Sequence, residues 1–591
     1  MNTSWDLSRI CSSQEEFEKG LAWCKEVAIP GVASFKGKLG TEEGLIGYLN
    51  LEREIEEKLS KVAIFASMRS DLDKRDTKNA QDLARIHLAY NDLGAADSYS
   101  QPEILALGKE YMDAFFEKHP EFKDFDYQMD KLFNSQKFVL DGEKEGLLAN
   151  YSALSNAGSQ LYSMLSVADA MPKTITLSDG RELTVTQSNW THEVEHAKTE
   201  EDRKAIFEAL YSYYDERKNT YGEIYAQVLN AEMATLKSRG FSSILEEHLF
   251  TNKIPTSVFT NLVEVASNNS AALKKYYEIK RKYLGLEKFR SYDRFVQLAK
   301  SDSKYTYEES LKIFYDSLEG LYTEDYKAKA REVTAEGYVD VFPGAGKRTG
   351  AYSTGGYGVH PYILLNFNGG LDDIFTVAHE AGHSVHTMYS DEAQPLLKQN
   401  YTIFVAEIAS TFNEHNLIDY LMQKEDVSKN DKIFLLQKAI DEICATFYRQ
   451  TLFGHYEWEA AKKAEAGEPI NHEVLSNIMV DLYQQYYGID IREEKYKQYV
   501  WAYIPHLFYT PFYVYQYATS FTASMLIYEN VKAGKPGAFE NYINMLKMGG
   551  SDYPIDEVKS AGVDLTTKEP FLAVTRRMEY LVDELEKLLT E

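Results

Sequence analysis

Apolar residues recur at helical spacing over most of this chain. In 43–68 (EGLIGYLNLEREIEEKLSKVAIFASM), Leu45, Leu49, Ile55, Leu59, Val62 and Ile64 fall close to one face, which predicts an amphipathic helix. Residues 1–170 read as a succession of such helices, punctuated by Ile29-Pro30-Gly31 and His119-Pro120. At 175–185 (ITLSDGRELTV) the period shortens to that of a strand around Asp179-Gly180, a hairpin signal. Helices resume after Thr199, where Thr199-Glu200-Glu201-Asp202 has the form of a capping box. A second non-helical stretch, 337–370, is rich in glycine and β-formers and holds one clear strand, Tyr362 to Phe367. From Leu371 to the end the pattern is helical again, broken near Gly467-Glu468-Pro469 and Lys535-Pro536. The expectation is a mostly α fold with a small β-sheet beside the helix that starts at Leu371. Along the chain this divides into an N-terminal helical region, 1–190, with its hairpin near 175–185, and a region, 191–591, that carries the candidate chemistry.

Composition narrows the class. With 591 residues the chain can bury a large core, and its 14 prolines are few enough for a helix-rich fold. Its 44 tyrosines, apolar rings with a hydroxyl tip, suit wet clefts as well as cores. A net charge of −27 argues against a nucleic-acid partner, which needs clustered Lys and Arg, and against an anionic membrane surface. It leaves peptide substrates open, because the field in a groove can differ from the global one. Cys11, Cys24 and Cys444 give no disulfide framework and point to a reducing, cytoplasmic compartment. The first twenty residues lack the basic and apolar regions of a signal peptide. The most apolar run, 501–521, carries Pro505, Pro511 and His506, so no membrane span is expected.

The pattern H-E-x-x-H occurs twice, as His192-Glu193-Val194-Glu195-His196 and His379-Glu380-Ala381-Gly382-His383. On a helix, the two imidazoles at i and i+4 share a face and can reach one Zn²⁺, while the Glu at i+1 reaches a water on that ion. The second copy sits in an apolar stripe of Leu371, Ile374, Ala378 and Val385, with Asp372 and Asp373 suited to the helix N-terminus. The first copy contains Glu195, is flanked by Lys198, Glu200 and Asp202, and precedes the capping signal at Thr199. It reads as a solvated decoy.

A catalytic zinc usually takes three protein ligands. The metzincin position is excluded, because His386 stands where that pattern needs glycine. Downstream, 401–418 (YTIFVAEIASTFNEHNLI) reads as a helix with Glu407 inside its apolar face, where a carboxylate is costly unless paired or bound to metal. Glu407 is therefore the expected third ligand, with Glu414, two turns on, as a supporting group or runner-up. His386 is either a supporting group or a packed core histidine. If 506–517 is helical, His506, Tyr509, Tyr513 and Tyr517 share a face, as donors to a developing oxyanion or as an aromatic core stripe.

Several blocks resemble oligoendopeptidase F of the thimet oligopeptidase family: FTVAHEAGHSVHTMYS (375–390), FVAEIASTFNE (404–414), GKRTGAYSTGGYGVHPYILLNFNG (346–369), IPHLFYTPFYVYQYA (504–518) and FASMRSDLDKRDTKNA (65–80). The resemblance implies two helical lobes flanking a deep substrate channel, and a zinc-dependent endopeptidase acting on short peptides as a monomer or weak homo-oligomer. It implies zinc on His379, His383 and Glu407, with Glu380 as the base that activates the zinc-bound water. It assigns catalytic roles to His506 and Tyr513, and substrate contacts to Tyr509, Tyr517 and His360. The sequence departs from more distant thimet-type members after His506, where Phe508–Phe512 replaces a glycine-rich stretch. The rival within enzymes is a zinc carboxypeptidase or dipeptidyl carboxypeptidase, which would need a cation, such as Arg348, for the substrate's C-terminal carboxylate. The rival outside enzymes is a helical peptide-binding or scaffold protein with a vestigial motif.

Overall fold

A computed structural model describes residues 3–590 apart from 141 and 302. The fold closes into two compact units, each assembled from three stretches of chain. The first comprises Met1–Lys137, Asp302–Leu421 and Ile527–Val563, and the second Phe138–Ser301, Met422–Leu526 and Asp564–Glu591. The units interleave in sequence, whereas the expected division at 190/191 follows the chain.

In the first unit, helix α1 (Glu42–Leu72) starts where the Thr41 hydroxyl accepts the Gly44 N–H at 3.1 Å. It buries the predicted Leu45, Leu49, Ile55, Leu59 and Val62, and continues the stripe through Phe65 and Met68. Helix α2 (Thr77–Asp97) is capped by Asp76, whose carboxylate accepts the N–H groups of Lys78 and Asn79. The glycine-rich stretch forms a three-stranded sheet of β1 (Val339–Asp340), β2 (Tyr352–Gly356) and β3 (Val359–Leu364), in the order β1-β3-β2. β3 runs parallel to β1 and antiparallel to β2, with Ser353 opposite Ile363. The strand expected over 362–367 starts three residues earlier, and beyond it the N–H groups of Leu365 and Phe367 still bond to Asp340 and Val341. β3 is thus the middle strand, and β1 and β2 are the outer strands of the sheet.

Two helices follow the sheet. α3 (Leu371–Ala393) begins at Gly370, whose N–H bonds to the Asp373 carboxylate at 2.8 Å, and acidic residues occupy its first turn. α4 (Ile403–Gln423) has every residue of 408–418 buried.

In the second unit, the predicted hairpin forms from Lys173–Thr176 and Glu182–Val185, with Ile175 opposite Leu183 and Gly180 at φ 84°. Helix Glu200–Glu216 starts at Thr199, whose hydroxyl accepts the Asp202 N–H at 3.1 Å. Tyr211, Tyr214, Tyr221 and Tyr225 are fully buried, so many of the chain's tyrosines serve its core. No helix among the described residues is long and apolar enough to cross a membrane, and the three cysteines are free and buried.

Candidate metal centre

Helix α3 presents His379 and His383 one turn apart, and α4 brings Glu407 against them. His379 Nε2 lies 3.1 Å from His383 Nε2 and 3.4 Å from Glu407 Oε2, and His383 Nε2 lies 3.5 Å from the same oxygen. Atoms bound to one tetrahedral Zn²⁺ at 2.0–2.1 Å stand roughly 3.3 Å apart. The three donors therefore already form the face of such a tetrahedron. About a fifth to a quarter of each side chain stays exposed, which leaves one side of the triangle open.

Close helix packing makes this triangle possible. A Cβ on Gly382 would fall 2.6 Å from the Ala409 carbonyl oxygen and 2.7 Å from the Ser410 Cα, so only glycine lets α4 approach this near. Asn413 locks the pair: its amide donates to the Ala378 carbonyl at 3.0 Å, and its oxygen accepts the hydroxyls of Tyr322 and Tyr326 at 3.0 and 2.8 Å. The sheet is fastened on the other side by Ser353 and Ser384, whose hydroxyl oxygens lie 2.8 Å apart.

The neighbours set the protonation states. Burial pulls His379 down, but hydrogen bonds to Glu407 and Glu414 outweigh it and hold the imidazole well above its ordinary value. His383 is lowered to about 4, by burial and then by the adjacent His379 charge. Glu407 resists burial and falls to about 2, because His379 and His383 face it; the Ser410 hydroxyl donates to it as well, at 3.1 Å. Glu380 moves the other way, to about 7, driven by burial and by repulsion from Glu407 and Glu414. Its side chain is buried, and Oε2 has no hydrogen-bond partner among the described residues. A buried carboxylate oxygen left without a partner beside three convergent donors suits a group that acts on a bound molecule.

Glu414 is not part of the triangle. It bonds to His379 Nδ1, which keeps Nε2 aimed at the other donors. His386 resolves as a core residue: it stacks on Tyr401 at 3.7 Å, and burial lowers it to about 3. Asn413 escaped the sequence reading, although a buried Asn within an apolar helix face is itself a signal of a polar tie.

Other expected site residues have their own surroundings. His360 lies in β3, stacked on Tyr338 at 3.7 Å, with Nδ1 2.7 Å from the Pro361 carbonyl. The segment 506–517, in the second unit, is not one helix. A single turn, His506–Tyr509, is followed by a bend at Phe512 with φ 55°, and helix Tyr515–Lys532 starts afterwards. The N–H of Phe512 bonds to the buried Glu457 carboxylate at 2.8 Å, which holds this unusual backbone. The bend stacks His506 and Tyr513 with parallel rings 6.1 Å apart and sets Tyr517 edge-on to Tyr513 at 5.6 Å. Tyr509 is exposed, and Tyr515 is buried in the core against Phe259. Arg348 faces Asp71 at 3.2 Å, so its charge is already matched. The decoy copy falls in the short helix Trp190–His196, with His192 and His196 exposed and stacked on each other and Glu193 paired to Arg181.

Comparison with known proteins extends beyond the motif. The family model of peptidase family M3 matches residues 194–577, and a model described as oligopeptidase F matches 103–170. The Bacillus subtilis oligopeptidase PepF is 34% identical over 589 residues, covering 99% of this chain and 87% of that one. The group B oligopeptidase PepB of Streptococcus agalactiae is 31% identical, covering 99% and 97%. Among solved structures, oligoendopeptidase-F from Enterococcus faecium aligns with a TM-score of 0.76 at 26% identity, covering 98% of this chain and 99% of that one. The chain belongs to peptidase family M3.

Proposed function

We propose that this chain is a zinc-dependent oligoendopeptidase that hydrolyses internal bonds of short peptides in the cytoplasm, with 191–591 as its catalytic region. His379, His383 and Glu407 would hold one Zn²⁺. The observation that carries the reading is the donor triangle, whose edges of 3.1, 3.4 and 3.5 Å fit that ion. When bound, zinc supplies a Lewis acid that brings the pKa of water to around 7 and polarises a carbonyl. The names of the relatives, oligopeptidase and oligoendopeptidase, support the substrate class.

The chain's own residues have distinct tasks. Glu380, buried and poised near neutrality, takes a proton from the attacking water and delivers it to the leaving nitrogen. Glu414 fixes the His379 tautomer. β2, an outer strand of the sheet, would offer backbone groups to an extended peptide, which would bind without reading its sequence. His506 and Tyr513 would donate to the oxyanion, and Tyr509, Tyr517 and His360 would contact substrate. Arg348, one candidate anchor for the exopeptidase alternative, is paired with Asp71, which favours the endopeptidase reading over it.

The test combines zinc analysis with mapping of cuts in a peptide blocked at both ends. Wild type should carry about one zinc and cut internally. Glu380→Gln should keep the zinc and lose on the order of 10²–10⁴ in turnover, and Tyr513→Phe should lower kcat at unchanged zinc content. Undiminished turnover in Glu380→Gln, or strict dependence on a free C-terminus, would refute the proposal.

A further inference from the structure

Phe512 stands at φ 55°, a left-handed backbone that suits glycine and is strained for a bulky side chain. The bend it makes joins the turn His506–Tyr509 to helix Tyr515–Lys532, and it sets the direction of the next residue, Tyr513. Such a backbone persists only where its surroundings hold it. Two contacts supply that hold. The Phe512 ring is buried, with its centre 5.2 Å from the His248 ring and 5.9 Å from that of Phe259. His248 is fixed in turn by Glu232, whose carboxylate lies 2.7 Å from Nε2. The Phe512 N–H donates to Glu457 Oε1 at 2.8 Å, reaching across from helix Arg449–Glu465.

Packing alone does not call for a carboxyl at this place. Glu457 is 2% exposed, and its Oε2 has no hydrogen-bond partner among the described residues. A buried polar atom without a partner is unfavourable, and an apolar side chain of the same length would fill the space without that penalty. The bond to Phe512 is what the carboxyl contributes. It fixes the peptide plane between Pro511 and Phe512, while the packed ring fixes the side chain. With both in place, the Tyr513 ring lies parallel to His506 at 6.1 Å and edge-on to Tyr517 at 5.6 Å.

We infer that Glu457 is a positioning residue for peptide hydrolysis: it holds the Phe512 bend and, through it, the placement of Tyr513 beside His506. The inference rests on the oxyanion role proposed for that pair. Glu457 itself stays buried and acts only through the bend. Burial raises its carboxyl to about 8, so near neutral pH it keeps its proton and offers the Phe512 N–H a neutral oxygen. Glutamine has the same shape and a neutral acceptor of the same kind, whereas leucine fills the space and accepts nothing.

The test uses the full-length protein at pH 7 and a peptide blocked at both ends. Glu457→Leu should lower kcat by roughly 10–100-fold, the scale of a catalytic group displaced by up to about 1 Å, with KM and zinc content little changed. Glu457→Gln should recover most of that loss. Because Glu457 acts through Tyr513, adding Glu457→Leu to Tyr513→Phe should lower kcat little further. In crystals of Glu457→Leu, Phe512 should leave the left-handed region and Tyr513 should part from His506. Thermal melting checks that each variant is folded. Undiminished kcat in Glu457→Leu, an unmoved bend in its crystals, or losses that multiply in the double variant would overturn the inference. So would a Glu457→Gln variant that is folded yet as slow as the leucine change predicts, a result that needs no folded leucine variant. Undiminished kcat in Tyr513→Phe refutes instead the oxyanion role on which the inference rests.

Discussion

Replacing Gly382 with alanine would force apart the two helices that form the donor triangle. The added Cβ meets the Ala409 oxygen at 2.6 Å, the Ser410 Cα at 2.7 Å and the Ala409 carbonyl carbon at 2.9 Å, all of them backbone. No rotamer change relieves a clash with backbone. Ordinary contact begins at 3.4 Å, so α3 and α4 must separate by about 0.8 Å (3.4 − 2.6). Glu407 lies two residues before Ala409 and rides on the same helical turn. A shift transmitted in full would stretch the two His–Glu407 edges from 3.4 and 3.5 Å to about 4.2 and 4.3 Å. Two atoms bound at 2.1 Å to one ion can be at most about 4.2 Å apart, and only when collinear with it. Glu407 would then drop out of the coordination sphere. Overpacking of this kind destabilises by about 1–3 kcal/mol. Zinc affinity should fall by more than the roughly 10–100-fold that follows loss of an outer partner. Chelator competition measures the affinity, and far-UV circular dichroism with thermal melting checks that the helices persist. An alanine variant that binds zinc within twofold of wild type and melts at the same temperature would show that this contact does not set the site.

Three further outcomes follow from the same geometry. Glu414→Ala frees the His379 ring and should weaken zinc binding by about 10–100-fold while the fold stays intact, measured by the same competition. Zinc affinity should fall with falling pH by close to tenfold per unit over pH 6–8, because His379 is held protonated in the metal-free site while Glu407, at about 2, and His383, at about 4, have already lost their protons; an affinity flat across that range would contradict the charge assignment. The double variant His192→Ala, His196→Ala should leave zinc content, turnover and melting within error of wild type, since both rings are exposed; loss of zinc in it would overturn the reading of that motif as a decoy.

How far the sequence reveals this arrangement depends on the range of each signal. The apolar periodicity of 43–68 and 371–389 and the Asp179-Gly180 turn are local, and both helices and the hairpin form as those patterns predict. The approach of Glu407 to the two imidazoles was legible because a carboxylate in an apolar face needs a partner, and that partner had to come from elsewhere in the chain. The path of 506–517 was not legible, because periodicity cannot register the positive φ at Phe512 or the buried Glu457 that accepts its N–H from 55 residues away. The place of that strand in its sheet was not legible for a related reason: β1, a two-residue strand, leaves almost no pattern, yet it pairs with β3 and makes it the middle strand. The interleaving of the two units is a property of long-range closure that no window of sequence contains.

The four glutamates of this chain that matter most to its chemistry carry the same side chain and receive different charges from their surroundings. Glu407 faces two imidazoles, and that attraction overcomes burial to keep it ionised at about 2. Glu380, one residue from His379 on the same helix, is raised to about 7 by burial, with repulsion from Glu407 and Glu414 working against the attraction of the His379 charge. Glu457, in the second unit, is buried with one backbone N–H for its charge and rises to about 8. Glu414 sits against His379 Nδ1 and helps keep that imidazole charged until a cation displaces its proton. A group at about 2 is suited to hold a cation and is a poor base, whereas a group at about 7 can both take and return a proton near neutral pH. The division of labour proposed for Glu380 and Glu407 thus follows from which neighbours each carboxylate meets, and Gly382, by admitting α4, decides that for both.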